Sequence, residues 1–189
     1  MPALNGNKTG ARSPKSALRP ASQPASELTA EAPNELKVSN PGSRLNELGI
    51  ILPAPPTPLG AYVESSHAGN LLFLSGTLPV VNRKLAINGR LGDSLSVKNG
   101  REAARIAALN ALAVAQEHLG DINRLKNLIK LTVLVAATEQ FTEHASVADG
   151  ASDLFVQIFG ESPGHVRLVY GVQSLPIGAP VIVDTIFEI

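Results

Sequence analysis

Residues 96–136 read SVKNGREAARIAALNALAVAQEHLGDINRLKNLIKLTVLVA, and they decide the fold class because a long helix leads directly into an apolar strand. Ser96 has the side chain of an N-cap, and Gly120 stands where a left-handed residue ends a helix. Between them, one helical face carries Ala104, Ala108, Leu112, Ala115 and Leu119. Alanine on the buried face lets a helix axis approach its neighbour closely, so the pattern predicts a helix laid on a sheet.

The flanking sequence supplies the other elements of that sheet. The segment 128–136 is rich in β-branched residues and is predicted as a central strand. A second helix is predicted over 143–159, and its buried stripe comprises Val147, Ala151, Leu154, Phe155 and Ile158. Further strands are predicted at 61–65, 70–75, 84–87, 166–173 and 181–188.

This order of elements, β-β-β-α-β-α-β-β, predicts a two-layer α+β sandwich. About six strands form a mixed sheet, and both helices cover the same face. Val181, Val183 and Ile186 are among the strand residues that make both sheet faces apolar. The uncovered face is therefore expected to pack against other copies of the chain.

The composition changes near residue 43. Residues 1–43 are rich in Ser, Pro, Ala and Asn and contain no aromatic residue, which predicts a disordered or extended N-terminal tail. Basic residues without acids in the first 26 positions suggest a transit peptide, but four prolines in that stretch favour an ordinary tail. Residues 44–189 are predicted to form one domain, and its segment 44–60 is an extended, proline-rich lead-in.

Several function classes fit the composition poorly. The formal net charge is zero, which argues against nucleic acid or an anionic membrane as the main partner. The chain has no cysteine, so disulfides and thiolate chemistry are excluded. No apolar run approaches the roughly 18 residues of a membrane span, and we expect a cytoplasmic protein.

The familiar catalytic motifs are missing. The four histidines share no metal-ligand spacing, and the chain has neither a G-x-S-x-G elbow nor a phosphate-binding glycine loop. We therefore predict no metal site and no bound cofactor.

Arg167 is the most suggestive single residue, because it interrupts an apolar strand. A guanidinium in such a place needs an anionic partner, either an internal acid or a bound carboxylate or phosphate. A structural salt bridge and a ligand contact both remain open from the residue alone. A second candidate is Gly76, which ends a strand and lets backbone amides approach an anion. Tyr62 begins the first predicted strand, where its hydroxyl can reach such a site.

Taken in order, these segments resemble the RidA family, also called YjgF or endoribonuclease L-PSP, over residues 59–189. The resemblance is carried by LGAYV at 59–63, GNLLFLSGTLP at 69–79, KLTV at 130–133, and Arg167 followed by LPIGAPV at 175–181. It implies a chorismate-mutase-like fold assembled as a homotrimer, with three ligand sites in the clefts between subunits.

The resemblance also implies an activity. Family members hydrolyse reactive enamines and imines, such as 2-iminobutanoate and 2-iminopropanoate, to 2-keto acids and ammonia without a cofactor. By position, Arg167 would hold the substrate carboxylate, the Gly76 amide would hold the ligand, and Tyr62 would line the cleft from the neighbouring subunit. Two further site positions of the family, an asparagine on the second helix and a Cys or Ala two residues after the arginine, are occupied here by Asp149 and Val169.

One departure from the family pattern bears on catalysis. The deaminating members carry a glutamate that positions water where this chain has Ile182, and isoleucine cannot accept a proton. Glu64 and Asp184 are the alternative sources of a carboxylate, but adjacent strand residues alternate faces, which argues against either. Three hypotheses follow: an imine deaminase with altered chemistry, a non-catalytic or regulatory carboxylate binder, and a ribonuclease. The neutral charge and the scarcity of aromatic residues make the ribonuclease the poorest fit.

Overall fold

The computed structural model describes residues 40–161 and 164–189. Three helices are present in that part of the chain: α1 (Pro41–Glu47), α2 (Val97–Leu119) and α3 (His144–Phe159). The strands are β1 (Ser65–Ala68), β2 (Leu71–Leu74), β3 (Val80–Val81), β4 (Lys84–Leu85), β5 (Asn127–Ala136), β6 (Val166–Val172) and β7 (Val181–Glu188). None of the helices described here has the length and apolar character that a bilayer crossing requires.

The helix α2 confirms the predicted signals at both of its ends. The Ser96 hydroxyl accepts a hydrogen bond from the Asn99 amide, and the Asn99 side chain accepts one from the Ser96 amide, which completes a capping box. Gly120 ends the helix with φ of 76°, in the left-handed region. The predicted alanine stripe is fully buried against the sheet.

The main sheet is mixed and has five strands, in the order β1-β2-β7-β5-β6. Strands β5 and β6 are parallel and are connected through α3, whereas the other pairs are antiparallel. The predicted two-layer α+β architecture is confirmed, although the sheet has one strand fewer than expected. The predicted strand at 84–87 is instead the short β4, which pairs only with β3 in a separate two-stranded sheet.

The predicted strand at 61–65 is wrong, because β1 begins only at Ser65. A tight turn bends the preceding segment: the Tyr62 amide donates to the Gly60 carbonyl, and the Leu59 amide donates to the Tyr62 hydroxyl. These local bonds occupy the chain and keep residues 59–64 out of the sheet.

Helix α1 was not predicted. Its N-cap is Asn40, whose side chain accepts from the Ser43 amide, and Pro41 occupies the first helical position, as proline prefers. Leu45 joins the core at 5% exposure. The predicted tail lies outside the described residues up to position 39, and its boundary with the domain stays a prediction.

The two faces of the sheet differ in what covers them. Residues alternate along β7, so Val181 and Val183 are buried under the helices while Ile186 lies on the opposite, open face. Four large apolar side chains on this open face are between 40% and 66% exposed: Phe73, Val166, Leu168 and Tyr170. The open face thus carries the exposed apolar side chains that the sequence predicted, although Lys130, Asp184 and Glu188 also lie on it.

Helices α2 and α3 cross closely enough to require glycine at one position. A Cβ atom added at Gly150 would lie 2.0 Å from the Arg101 carbonyl oxygen, which is backbone and cannot rotate away. The neighbouring residue of α3 is Asp149, so this contact also sets where Asp149 stands.

Replacing Gly150 with alanine is therefore expected to lower the free energy of unfolding by about 1–3 kcal/mol, because the helices must separate. Urea denaturation followed by circular dichroism measures this change. Gly60→Ala is the matched control, since its added methyl group would meet only the Tyr62 ring at 3.6 Å. Equal stability of the Gly150 variant and the wild type would contradict this account of the helix crossing.

Candidate functional site

Arg167 lies on the edge strand β6, opposite Leu131 of β5, and its side chain extends over α3. Its Nη1 atom donates to Asp149 Oδ1 at 2.7 Å and to Ser152 Oγ at 3.0 Å. Asp149 and Ser152 are three positions apart, so they share one face of the helix. The structure thus brings two predicted site residues together, and it gives Arg167 the internal acid that the sequence had left as an alternative.

The pair formed by Arg167 and Asp149 is partly solvent-exposed. The exposed fractions of the two side chains are 27% and 41%. Asp149 is shared with Arg101, whose Nη1 lies 3.5 Å from Oδ2, and Arg101 also binds Asp153. Exposed pairs of this kind contribute only about 0–1 kcal/mol. The ion pair with Asp149 consequently orients Arg167 but is too weak to prevent it from binding a ligand.

Most of the donors of Arg167 are still available. A guanidinium has five N–H donors, and the hydrogen bonds found in the described part of the chain engage Nη1 alone. The edge formed by Nε and Nη2 is the one that binds carboxylates with two parallel hydrogen bonds. Arg167 can therefore accept a carboxylate ligand while it keeps Asp149 and Ser152.

Ser152 and His165 support Arg167 and were not predicted. Ser152 Oγ accepts from Arg167, and it lies 3.1 Å from His165 Nε2, within hydrogen-bond distance of the ring. Burial lowers the pKa of His165, and the positive charge of Arg167 lowers it further. The only sequence signal was that His165 lies two residues before Arg167, directly before β6.

Val169 lies two positions after Arg167 on the same strand and the same face. It is half-buried and packs against the core. Its side chain therefore extends the apolar surface next to Arg167.

Tyr62 and Gly76 line one cleft of the chain, together with Glu64, Ser75 and Thr77. The empty volume of this cleft is about 400 Å³. A Cβ atom added at Gly76 would lie 2.6 Å from Ile182 Cγ2, so Ile182 stands directly behind the glycine. The structure thereby places the residue that departs from the family pattern next to the cleft.

Hydrogen bonds fix the backbone on both sides of Gly76. The Ser75 amide donates to the Glu64 carbonyl at 2.8 Å, and the Thr77 amide donates to the Val183 carbonyl at 2.7 Å. Among the described residues, no backbone acceptor is recorded for the amide of Gly76 itself. This amide is therefore a donor that a ligand can use.

Glu64 belongs to the cleft, contrary to our argument from strand alternation. That argument fails because residue 64 precedes β1 and lies in the bent segment, where side chains do not alternate. Burial raises the pKa of Glu64, and the carboxylate of Glu117 raises it further. Asp184 lies two positions after Ile182 and shares its face of β7, the open face of the sheet.

Arg167 and the Gly76 cleft lie far apart within one chain. Gly76 follows β2 and contacts β7, whereas Arg167 is on β6, and β7 and β5 separate β2 from β6. Three strand spacings amount to roughly 14 Å across the sheet. A ligand of a few carbon atoms cannot contact both places on the same chain.

The sequence matches one protein family over residues 42–189, under the description "YjgF/chorismate_mutase-like, putative endoribonuclease". Protein TCP17 of Trypanosoma cruzi is 43% identical over 148 residues, which are 78% of this chain and 92% of the relative. The RutC family protein y4sK of Sinorhizobium fredii (strain NBRC 101917 / NGR234) is 28% identical over 134 residues, which are 71% of this chain and 91% of that protein.

Solved structures are similar in fold. A protein of Shewanella oneidensis MR-1, described as a "putative endoribonuclease", has a TM-score of 0.76 and 34% identity over 79% of this chain and 99% of its own. Atu1372 of Agrobacterium tumefaciens, described as of unknown function, has a TM-score of 0.71 and 37% identity over 80% and 93%. RidA from Psychrobacter sp. PAMC 21119 has a TM-score of 0.53 and 20% identity over 71% and 94%, a likeness of fold alone.

Proposed function

We propose, from the premise that this chain belongs to the YjgF/chorismate-mutase-like family, that it binds small 2-keto or 2-imino carboxylates in clefts shared by two subunits. In this arrangement Arg167 of one subunit faces the Gly76 cleft of the next. The observation that carries the proposal is the separation of these two places within one chain, at opposite sides of the sheet. Each place has ligand-binding features of its own, and only a second copy brings them together.

The apolar open face supports an oligomer, and the family resemblance favours a homotrimer. Leu168 and Tyr170 on this face are 40% and 49% exposed, and they lie on the same edge strand as Arg167. A subunit that covers this apolar surface removes it from water, which stabilises the assembly by about 25 cal/mol per Å² of buried apolar area. The same contact brings the edge of β6 next to another subunit.

The ligand chemistry follows from the donors on the two sides. The Nε and Nη2 edge of Arg167 suits a carboxylate, which it binds through two parallel hydrogen bonds. The amide of Gly76 suits the carbonyl oxygen or imine nitrogen of a small ligand. Apolar atoms of Val169 and Tyr62 suit a short alkyl group. A small 2-keto carboxylate combines all three features, and no cofactor is needed to bind it.

Two activities of this site remain as proposals. The first is hydrolysis of an enamine or imine to a 2-keto acid and ammonia by a cytoplasmic deaminase, for which the imine carbon is already electrophilic and orientation supplies most of the catalysis. The second is binding without turnover, in a regulatory protein. Ile182 beside Gly76 favours the second activity, because it brings no proton acceptor to that side of the cleft.

Mixing two disabled variants tests the shared site. Arg167→Ala removes the guanidinium from one half of the site. Gly76→Ala puts a methyl group 2.6 Å from Ile182 Cγ2 and so displaces the backbone that carries the amide of the other half. Each variant alone is expected to lose binding of 2-oxobutanoate. After the two are unfolded and refolded together, about a quarter of the sites should contain both intact halves, because each half comes from the competent subunit half of the time. Isothermal titration calorimetry measures this recovered capacity.

The matched control is a mixture of Arg167→Ala with Arg167→Leu, in which every site lacks the same half. It should bind no more than either variant does alone. Native mass spectrometry establishes that mixed oligomers have formed. If mixed oligomers of the first pair also fail to bind, the site is not shared between subunits as proposed.

A further inference from the structure

We propose that Glu64 is the proton-accepting catalytic residue of the Gly76 cleft and supplies the carboxylate that Ile182 lacks. The inference rests on the proposed function and names the group that activates water in that same site. Glu64 lies in the loop before β1, so its side chain is not restricted to one face of a strand. The carboxylate thus reaches the ligand from the Tyr62 side of the cleft.

The position of Glu64 is fixed relative to Gly76 by two hydrogen bonds to one residue. The Ser75 amide donates to the Glu64 carbonyl at 2.8 Å, and the Ser75 hydroxyl donates to the Val63 carbonyl at 2.7 Å. Ser75 directly precedes Gly76, so the loop carrying Glu64 is attached to the backbone that would hold the ligand. The Glu64 side chain lines the same cleft as Tyr62 and Gly76.

The surroundings of Glu64 make it a stronger base than an ordinary glutamate. Burial raises the pKa of Glu64, and the Glu117 carboxylate on α2 raises it further. The other titratable groups that share a surface with it are His118 on α2 and the Tyr62 hydroxyl. A carboxylate with increased proton affinity accepts a proton from water more readily when it is ionised.

The chemistry balances with water as the only co-reactant. Glu64 takes a proton from water while the water oxygen bonds to C2 of the iminium form of 2-iminobutanoate, and the C=N π electrons move to nitrogen. Glu64 then returns that proton to the nitrogen of the carbinolamine. The C–N bond breaks as C=O forms, Glu64 accepts the hydroxyl proton, and it passes that proton to the released ammonia. The products are 2-oxobutanoate and ammonium.

The test compares two glutamines in the full-length protein. Glu64→Gln is expected to bind 2-oxobutanoate within about threefold of the wild type and to hydrolyse 2-iminobutanoate at least about 100-fold more slowly. Glu117→Gln is the matched control, since it removes a neighbouring carboxylate that does not line the Gly76 cleft. Imine decay is followed after its release by a threonine dehydratase, and 2-oxobutanoate binding is followed by calorimetry.

The pH dependence adds a readout that a structural role of Glu64 would not change. The base must be ionised, so the hydrolysis rate should rise with pH through the raised pKa of Glu64. Removing the Glu117 charge lowers that pKa, so Glu117→Gln should keep the maximal rate and move the rise to lower pH. If the hydrolysis rate rises at the same pH in Glu117→Gln as in the wild type, Glu64 is not the base.

The outcomes separate this inference from the proposed function. If Glu64→Gln hydrolyses the imine as fast as the wild type, Glu64 is not the base, although the binding site stands. If the wild type binds 2-oxobutanoate but shows no imine hydrolysis, the catalytic assignment is overturned and the binding function stands. If the wild type neither binds nor hydrolyses, both proposals are wrong. Circular dichroism establishes that the variants are folded.

Discussion

Replacing Arg167 with alanine is expected to weaken the binding of 2-oxobutanoate by at least about 30-fold while the oligomer stays assembled. The guanidinium is the only charged donor that we assign to the ligand, and losing a paired charge of this kind reduces binding by about 2–5 kcal/mol. Part of the loss comes from Asp149, whose negative charge then faces the ligand carboxylate with one cation fewer beside it. Calorimetry at constant ionic strength measures the affinity, and size-exclusion chromatography follows the oligomer.

Arg101→Ala is the matched control for this variant. Arg101 belongs to the same ionic network, through Asp149 and Asp153, but the proposed ligand does not contact it. Its removal is expected to change the affinity less than threefold. Arg167→Lys keeps the positive charge and loses the planar two-donor edge, so it should lie between the wild type and Arg167→Ala. An unchanged affinity of Arg167→Ala would exclude the ligand role and leave only the structural ion pair.

The parts of the fold that the sequence predicted have long, uninterrupted patterns. Helix α2 has a capping side chain, a buried stripe and a terminal glycine, and all three signals agree. Strands β5 and β7 have 10 and 8 residues and are mostly apolar. Their composition therefore predicts strands with little ambiguity. Agreement between local and global preferences is what makes such elements predictable.

The incorrect elements are short and depend on contacts that no local pattern reveals. Helix α1 has seven residues, and its Leu45 is buried against the domain core. An Asn-Pro start was visible in the sequence, but the prolines that follow at 53–58 favoured an extended lead-in. Strand β4 has two residues and pairs only with β3, so a strand-like composition did not indicate membership of the main sheet.

The candidate site residues and their place between subunits were proposed from the sequence, but which of these residues lie together within one chain was not. Arg167, Gly76 and Tyr62 were each selected from chemistry and resemblance. Only the strand order reveals that Arg167 lies across the sheet from the other two, because order in a sheet is a long-range property. The case of Glu64 is different. The predicted strand began at residue 61, four residues before the true start of β1 at Ser65. We therefore treated Glu64 as a strand residue and argued against its role.

Replacing Leu168 with aspartate is expected to convert the oligomer to monomers. Leu168 lies on the open sheet face, between Val166 and Tyr170 of the edge strand β6, and an ionised carboxylate buried there without a partner is strongly unfavourable. Because each proposed site needs two subunits, binding of 2-oxobutanoate should be lost together with the oligomer, although the substitution lies on the face of the sheet opposite Arg167. Sedimentation velocity and calorimetry on the same sample measure both losses.

Ile51→Asp is the matched control for the Leu168 variant. Ile51 is 93% exposed and lies in the proline-rich segment, away from the open face, so the same gain of charge should leave the oligomer and the affinity unchanged. Measuring the oligomeric state and the affinity together distinguishes two outcomes that would contradict the prediction. A Leu168→Asp protein that is monomeric but still binds at full affinity would place a complete site within one chain. A protein that remains oligomeric would show that the subunits contact each other elsewhere, because no assembly can bury that carboxylate unpaired at small energetic cost.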